Sequence, residues 1–225
     1  MTIKRTRYAM PLQIKICGLS TPETLGAALA AGADFVGFVH YSRSPRHVSP
    51  VAAGALAGRA RGRAKVVSLL VDPDDALLAE VVAAVQPDYL QLHGHETPER
   101  VRAIFTRWKV PAIKAIPVAT GADADTAAAY RGIAAFVLFD AKPMPGQSGK
   151  LPGGNGIAFD WRAIEGQADK VPFMLSGGLN PGNVAAAIRL TRAPMVDVSS
   201  GVESAPGQKD HDLIRKFIAS ARSTN

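Results

Sequence analysis

Cys17 is the one thiol in a chain of 225 residues. A lone cysteine is by default an inert buried group. Its thiolate, however, is a base and nucleophile, and nearby positive charge makes that form accessible. Lys15, Arg46 or a helix N-terminus would supply such charge. Asp140 follows the apolar run Phe136–Phe139. An aspartate in that place often caps a turn, but a desolvated one keeps its proton to higher pH and becomes an acid. Arg46, by default a solvated surface charge, carries a planar fork that can hold a carboxylate through two parallel hydrogen bonds. Gly177-Gly178 and Ser199-Ser200-Gly201 offer backbone N–H groups that a phosphate could approach unobstructed, although such glycines also serve tight turns. His93 and His95 lack cysteine or acidic partners at metal-ligand spacing, so no metal is expected.

These residues matter only if one scaffold brings them together. Short β-prone runs recur eight times, at Gln13–Ile16, Phe35–Val39, Val66–Val71, Tyr89–Leu92, Ala112–Ile116, Phe136–Phe139, Pro172–Leu175 and Met195–Val198. Helix candidates alternate with them, at Pro22–Ala31, Pro50–Gly58, Asp74–Val85, Pro98–Trp108, Asp123–Arg131, Asp160–Glu165, Pro181–Leu190 and Asp210–Ala221. Several open with a polar cap before proline, as in Ser20-Thr21-Pro22-Glu23 and Thr97-Pro98-Glu99. Runs such as Phe35-Val36-Gly37-Phe38-Val39 are apolar on successive residues, which suits a parallel strand covered on both faces. Eight strand–helix alternations predict an α/β fold, a single (β/α)8 barrel with an eight-stranded parallel wall, spanning 1–225 as one domain. An open doubly wound sheet fits less well, because Cys17-Gly18-Leu19-Ser20 rather than G-x-G-x-x-G follows the first run. In a barrel the active site lies at the C-terminal ends of the strands, where all the residues above fall. The Gly/Pro-rich stretch 141–157 reads as a loop over that end.

Composition sets the outer limits. At 47% hydrophobic, 6% aromatic and 20% charged the chain is an ordinary globular one. Its size lets it bury enough surface to need neither disulfide nor metal. The unpaired cysteine points to a reducing compartment, and we expect the cytoplasm. Lys4, Arg5 and Arg7 open the chain, but Pro11, Gln13 and Lys15 interrupt the apolar stretch behind them, so no signal-peptide core is expected. No run reaches the roughly 18–20 apolar residues of a membrane span. The formal charge of +7 is unevenly placed: residues 1–65 hold ten Lys/Arg against Glu23 and Asp34. Such a region suits nucleic acid, anionic lipid or a small anionic substrate. No base-stacking aromatics are interleaved with it, which disfavours nucleic acid. Residues 1–11 form a basic extension without an assigned task.

Taken in order, these segments resemble the phosphoribosylanthranilate isomerases of tryptophan biosynthesis. The likeness runs through Lys15-Ile16-Cys17-Gly18, Gly37-Phe38, Ser44-Pro45-Arg46, Gln91-Leu92-His93-Gly94 with Glu96, and Asp140. It continues with Gly153-Gly154-Asn155-Gly156 leading to Phe159-Asp160-Trp161, and with Ser176-Gly177-Gly178-Leu179-Asn180. It closes on Asp197-Val198-Ser199-Ser200-Gly201-Val202-Glu203 with Pro206-Gly207 and Lys209-Asp210. The resemblance implies a ribulose-phosphate-binding type of barrel and an Amadori rearrangement without a cofactor. It implies Cys17 as general base and Asp140 as general acid, with Arg46 on the anthranilate carboxylate, Asp197 on a sugar hydroxyl, and His93 in the substrate site. Gly177, Gly178, Ser200 and Gly201 would hold the phosphate. The substrate would be a small anion, with no nucleic-acid or membrane partner, and the protein a monomer or homodimer. A sister barrel that closes the indole ring would use lysine and glutamate instead. Lys114, inside the fifth run, is the only tempting substitute and reads better as a barrel-lining charge.

Overall fold

The structure is a computed structural model that describes residues 11–142, 153 and 158–224. Residues 1–10 of the basic extension and most of the 141–157 loop, including Gly154-Asn155-Gly156, lie outside the described residues.

Eight strands close into a barrel in sequence order, each paired in parallel with the next, and the last with the first. They are β1 (Gln13–Cys17), β2 (Phe35–Val39), β3 (Lys65–Leu70), β4 (Tyr89–Leu92), β5 (Ala112–Val118), β6 (Phe136–Ala141), β7 (Phe173–Leu175) and β8 (Met195–Val198). Around the wall run α1 (Pro22–Ala30), α2 (Pro50–Ala60), α3 (Asp75–Val85), α4 (Pro98–Trp108), α5 (Gly121–Asp125), α6 (Val184–Thr191) and α7 (His211–Arg222). The start signals act as their chemistry dictates. Thr21, Ser49, Asp74 and Thr97 each accept a hydrogen bond from the backbone N–H three residues on, at 2.8–3.3 Å.

Three helix expectations are corrected. The span 123–131 is the short α5 followed by a 3-10 turn at Thr126–Tyr130. Asp160–Glu165 is a 3-10 turn, Trp161–Ile164, stopped just before Gly166 at φ +78°. The helix expected from Pro181 starts at Val184, because Asn183 Oδ1 accepts from the Asn180 N–H and its amide donates to the Gly178 carbonyl, which keeps this turn non-helical. A small hairpin, β9 (Glu203–Ala205) with β10 (Gln208–Lys209), follows the barrel's last strand.

Strand side chains alternate between the barrel interior and the helix layer. Inside, Phe35, Tyr89 and Phe136 form an aromatic plug near the strands' N-terminal ends, with ring centroids 5.5–6.3 Å apart. Val67, Ile113, Ala115, Leu138, Met174 and Met195 pack against it. The plug fills this end of the barrel interior. The larger core lies between wall and helices, with Ile14, Ile16, Val36, Phe38 and Leu90 facing outward.

Candidate active site

Cys17 and Asp140 are not beyond their strands but within them. Pairing of Cys17 with Gly37 and of Asp140 with Pro117 extends both strands to include them. Alternation points both side chains inward at the C-terminal mouth. Cys17 is 3% exposed, and burial pushes its thiol up. The charges of Lys15 and Lys209 oppose that push, and Asp197 reinforces it. The lowering expected from positive neighbours is therefore outweighed by desolvation.

Beneath the thiol, Lys15 is fully buried and donates to Asp197 Oδ1 at 3.0 Å. Asp197 Oδ2 accepts from the Ser176 hydroxyl at 3.3 Å. The ammonium keeps its charge: burial pulls it down, but Asp197 and Cys17 more than compensate.

Asp140 has its own partners. Its Oδ1 accepts from the Ala141 N–H at 2.9 Å, and its Oδ2 lies 3.2 Å from His93 Nε2. The other ring nitrogen, Nδ1, lies 3.0 Å from the Gln91 amide nitrogen. With that amide donating, Nδ1 is the acceptor and Nε2 carries the hydrogen toward Asp140. His93, expected in the substrate site, thus meets Asp140 there. Gly153 closes over the pair, since a Cβ on it would sit 2.5 Å from Asp140 Oδ2 and 2.7 Å from His93 Nε2.

Arg46 is buried, and Glu203 holds its guanidinium in a fork, Nε to Oε1 at 2.7 Å and Nη2 to Oε2 at 2.8 Å. Glu203 also accepts from Lys209 at 2.6 Å and from the Gly207 N–H at 3.2 Å. Although burial alone would raise this carboxyl, Arg46 and Lys209 hold it below the usual range. Lys209 in turn donates to the Ser199 carbonyl at 2.9 Å. Glu203 and Lys209 were missed as site residues although both sit in the motif run. Their separation from Arg46 in sequence hid the contact.

The glycine loops are shaped by the protein as well as open to a ligand. Gly177 and Gly178 have φ of +82° and +68°. A Cβ on Gly201 would fall 1.9 Å from the Leu179 carbonyl oxygen, so the loops after β7 and β8 stack on each other there. Ser200 opens a 3-10 turn, Ser200–Val202, beside them. Lys114 is corrected in place: its neighbours Ile113 and Ala115 face the interior, so it points outward and pairs with Glu96 at 2.7 Å. It does not line the barrel. Among the described residues no group of three or more His, Cys, Asp or Glu side chains is arranged to hold a metal ion.

Residues 14–220 match the family model described as N-(5'phosphoribosyl)anthranilate (PRA) isomerase. Among curated relatives, the N-(5'-phosphoribosyl)anthranilate isomerase of Parvibaculum lavamentivorans is 54% identical over 95% of this chain and 99% of its own. That of Azorhizobium caulinodans is 55% identical over 95% of this chain and 93% of its own. The solved phosphoribosyl anthranilate isomerase of Thermotoga maritima superposes with a TM-score of 0.84 at 37% identity, covering 94% of this chain and 99% of that one. Another solved phosphoribosyl anthranilate isomerase, in complex with reduced 1-(o-carboxyphenylamino)-1-deoxyribulose 5-phosphate, gives 0.82 at 36% identity, covering 94% of this chain and 99% of that one.

Proposed function

The chain belongs to the N-(5'-phosphoribosyl)anthranilate isomerase family of tryptophan biosynthesis, and from that premise we propose that it works by general acid–base catalysis with Asp140 as acid and Cys17 as base. Asp140 gives its proton to the furanose ring oxygen as the C1–O bond breaks, and the anilino nitrogen's lone pair completes an iminium. Cys17 as thiolate then takes the C2 proton. The C–H pair becomes the C1=C2 bond of an enolamine, the iminium nitrogen recovers its pair, and tautomerisation yields the ketone. The substrate's own nitrogen is the electron sink, so no cofactor enters. The observation that carries this reading is the pair of inward-facing strand-end groups at one mouth of a closed barrel, one beside the buried Lys15 and the other against the half-buried His93.

His93 donating from Nε2 favours the Asp140 carboxylate left after proton transfer. In this reading Arg46, aligned by Glu203, meets the anthranilate carboxylate. Gly177, Gly178, Ser200 and Gly201 take the phosphate, and Asp197 a sugar hydroxyl. The protein acts as one domain, in the cytoplasm, as a monomer or homodimer. No helix among the described residues is long and apolar enough to cross a membrane. The test is the fluorescence change as freshly made phosphoribosylanthranilate is consumed. Wild-type protein turns it over, and Cys17→Ala and Asp140→Asn do so far more slowly. Wild-type rates in both variants would overturn the assignment.

A further inference from the structure

A lysine inside a barrel is costly unless its charge is used. Lys15 stands two residues before Cys17 on β1, pointing to the same side, and is completely buried. Opposite Cys17 on β2 is Gly37. A Cβ on Gly37 would sit 3.0 Å from Cys17 Sγ and 3.2 Å from Lys15 Cε. Thiol and lysine stem thus share the space that a side chain would have filled. Asp197 takes one of the ammonium's three donors at 3.0 Å, and the thiol is the other ionisable neighbour across the gap at Gly37.

We propose that Lys15 is a positioning residue for the isomerisation, its buried ammonium stabilising the thiolate form of Cys17 across the gap that Gly37 leaves open. This rests on the reading of Cys17 as the base. Of the other groups that face the thiol, only Lys209 acts in the same direction, and more weakly than Lys15. Asp197, from β8, disfavours the thiolate, and Lys209, from the β10 hairpin, spends its charge on Glu203. Arg46, whose Cδ would lie 2.7 Å from a Cβ on Gly18, is also held by Glu203. Among the positive charges near the thiol, that of Lys15 is the strongest influence against the effect of burial. The ammonium takes no proton from substrate; it keeps its own while the sulfur gains and loses one.

The test is a pH titration of the thiolate ultraviolet absorbance on the full chain, isolated by subtracting the Cys17→Ser spectrum. Lys15→Met should raise the midpoint by about one pH unit or more, equivalent to about tenfold less thiolate at neutral pH. Lys15→Arg should stay closer to wild type. Asp197→Asn should lower the midpoint, because a negative charge beside the thiol is removed and the ammonium then has the thiolate as its nearest counter-ion. A purely structural lysine would leave the midpoint of folded Lys15→Met protein where it was. Equal midpoints in wild type and Lys15→Met overturn the proposal. Should Lys15→Met fail to fold, a midpoint in Asp197→Asn that is unmoved or raised overturns it instead. Turnover of Cys17→Ala separates the two ideas: undiminished turnover overturns the base reading itself, whereas lost turnover with immobile midpoints overturns the role of Lys15 alone.

Discussion

Of the lysine–carboxylate pairs buried in this barrel, two are alike in almost every quantity. Lys114 meets Glu96 at 2.7 Å and Lys15 meets Asp197 at 3.0 Å, with all four side chains at most 5% exposed. They differ in company. Lys114 also donates to the Gly94 carbonyl at 2.7 Å, and Glu96 accepts from the N–H groups of Asp72 at 2.9 Å and Gly94 at 3.0 Å. Every further partner there is backbone, so the pair staples the loops after β3 and β4. Asp197 accepts from a hydroxyl, and Lys15 borders a thiol across the gap at Gly37, both in the barrel interior. A buried pair is weak evidence of any role by itself. What its remaining donors and acceptors face decides whether it holds the chain or serves the reaction.

The sharpest way to break this contrast is to remove the group on which the inner pair acts. Cys17→Ala is expected to cut turnover by roughly 10²–10⁴-fold with KM nearly unchanged, because a proton-transfer group acts in the transition state. Steady-state kinetics on substrate checks it. Next in size, Lys114→Met strands Glu96 in the outer layer and should cost about 3–5 kcal/mol of stability in denaturant melts. It should leave the thiolate midpoint of Cys17 where it was; a displaced midpoint would dissolve the distinction between the pairs.

His40 extends the structural side of the comparison. It is buried outside the barrel interior, its Nδ1 donating to the Val48 carbonyl at 3.1 Å and its Nε2 accepting from the Ser68 hydroxyl at 3.2 Å. Burial lowers its pKa to about 4. The unfolded chain therefore binds a proton there before the folded one does. The stability that this neutral ring contributes is complete above about pH 6.5 and is lost as pH falls toward 4, a change on the order of 3 kcal/mol. His40→Gln should flatten that part of the stability–pH curve; an unchanged slope would contradict it. The smallest effect concerns the far side of the site. Gly178→Val should raise KM by about tenfold through obstruction of the phosphate loop at a positive φ, with phosphorylated product analogues losing affinity more than dephosphorylated ones. Equal losses would place the phosphate elsewhere.

The barrel wall was legible because its strands are apolar on both faces, a pattern that few other folds require. Strand ends were not: Cys17 and Asp140 read as lying beyond their strands, and only the pairing with β2 and β5 shows that the ladders continue through them. The 3-10 turn at Trp161–Ile164 escaped the reading because a helix propensity pattern carries no mark of a turn that stops within four residues. The hairpin Glu203–Lys209 is too short to show alternation. Its turn is nevertheless tied to the site, for a Cβ on Gly207 would sit 2.5 Å from the Pro45 carbonyl, beside Arg46. Individual site residues stood out by type at strand ends, whereas their partnerships, Arg46 with Glu203 and Lys15 with Asp197, arise only when the barrel closes and brings distant segments side by side.

The central claim, that one carboxylic acid and one thiol share the proton traffic, is tested most directly by log kcat/KM against pH for wild type, Asp140→Asn and Cys17→Ser. In the proposed mechanism the active form has Asp140 protonated and Cys17 ionised, so the wild-type profile should be bell-shaped, with limbs that belong to the coupled pair. The residual activity of Asp140→Asn should lose the limb owed to the carboxyl, and that of Cys17→Ser the limb owed to the thiol. A wild-type limb that persists unchanged in both variants would contradict the account and move the proton to another group, with His93 the first to examine.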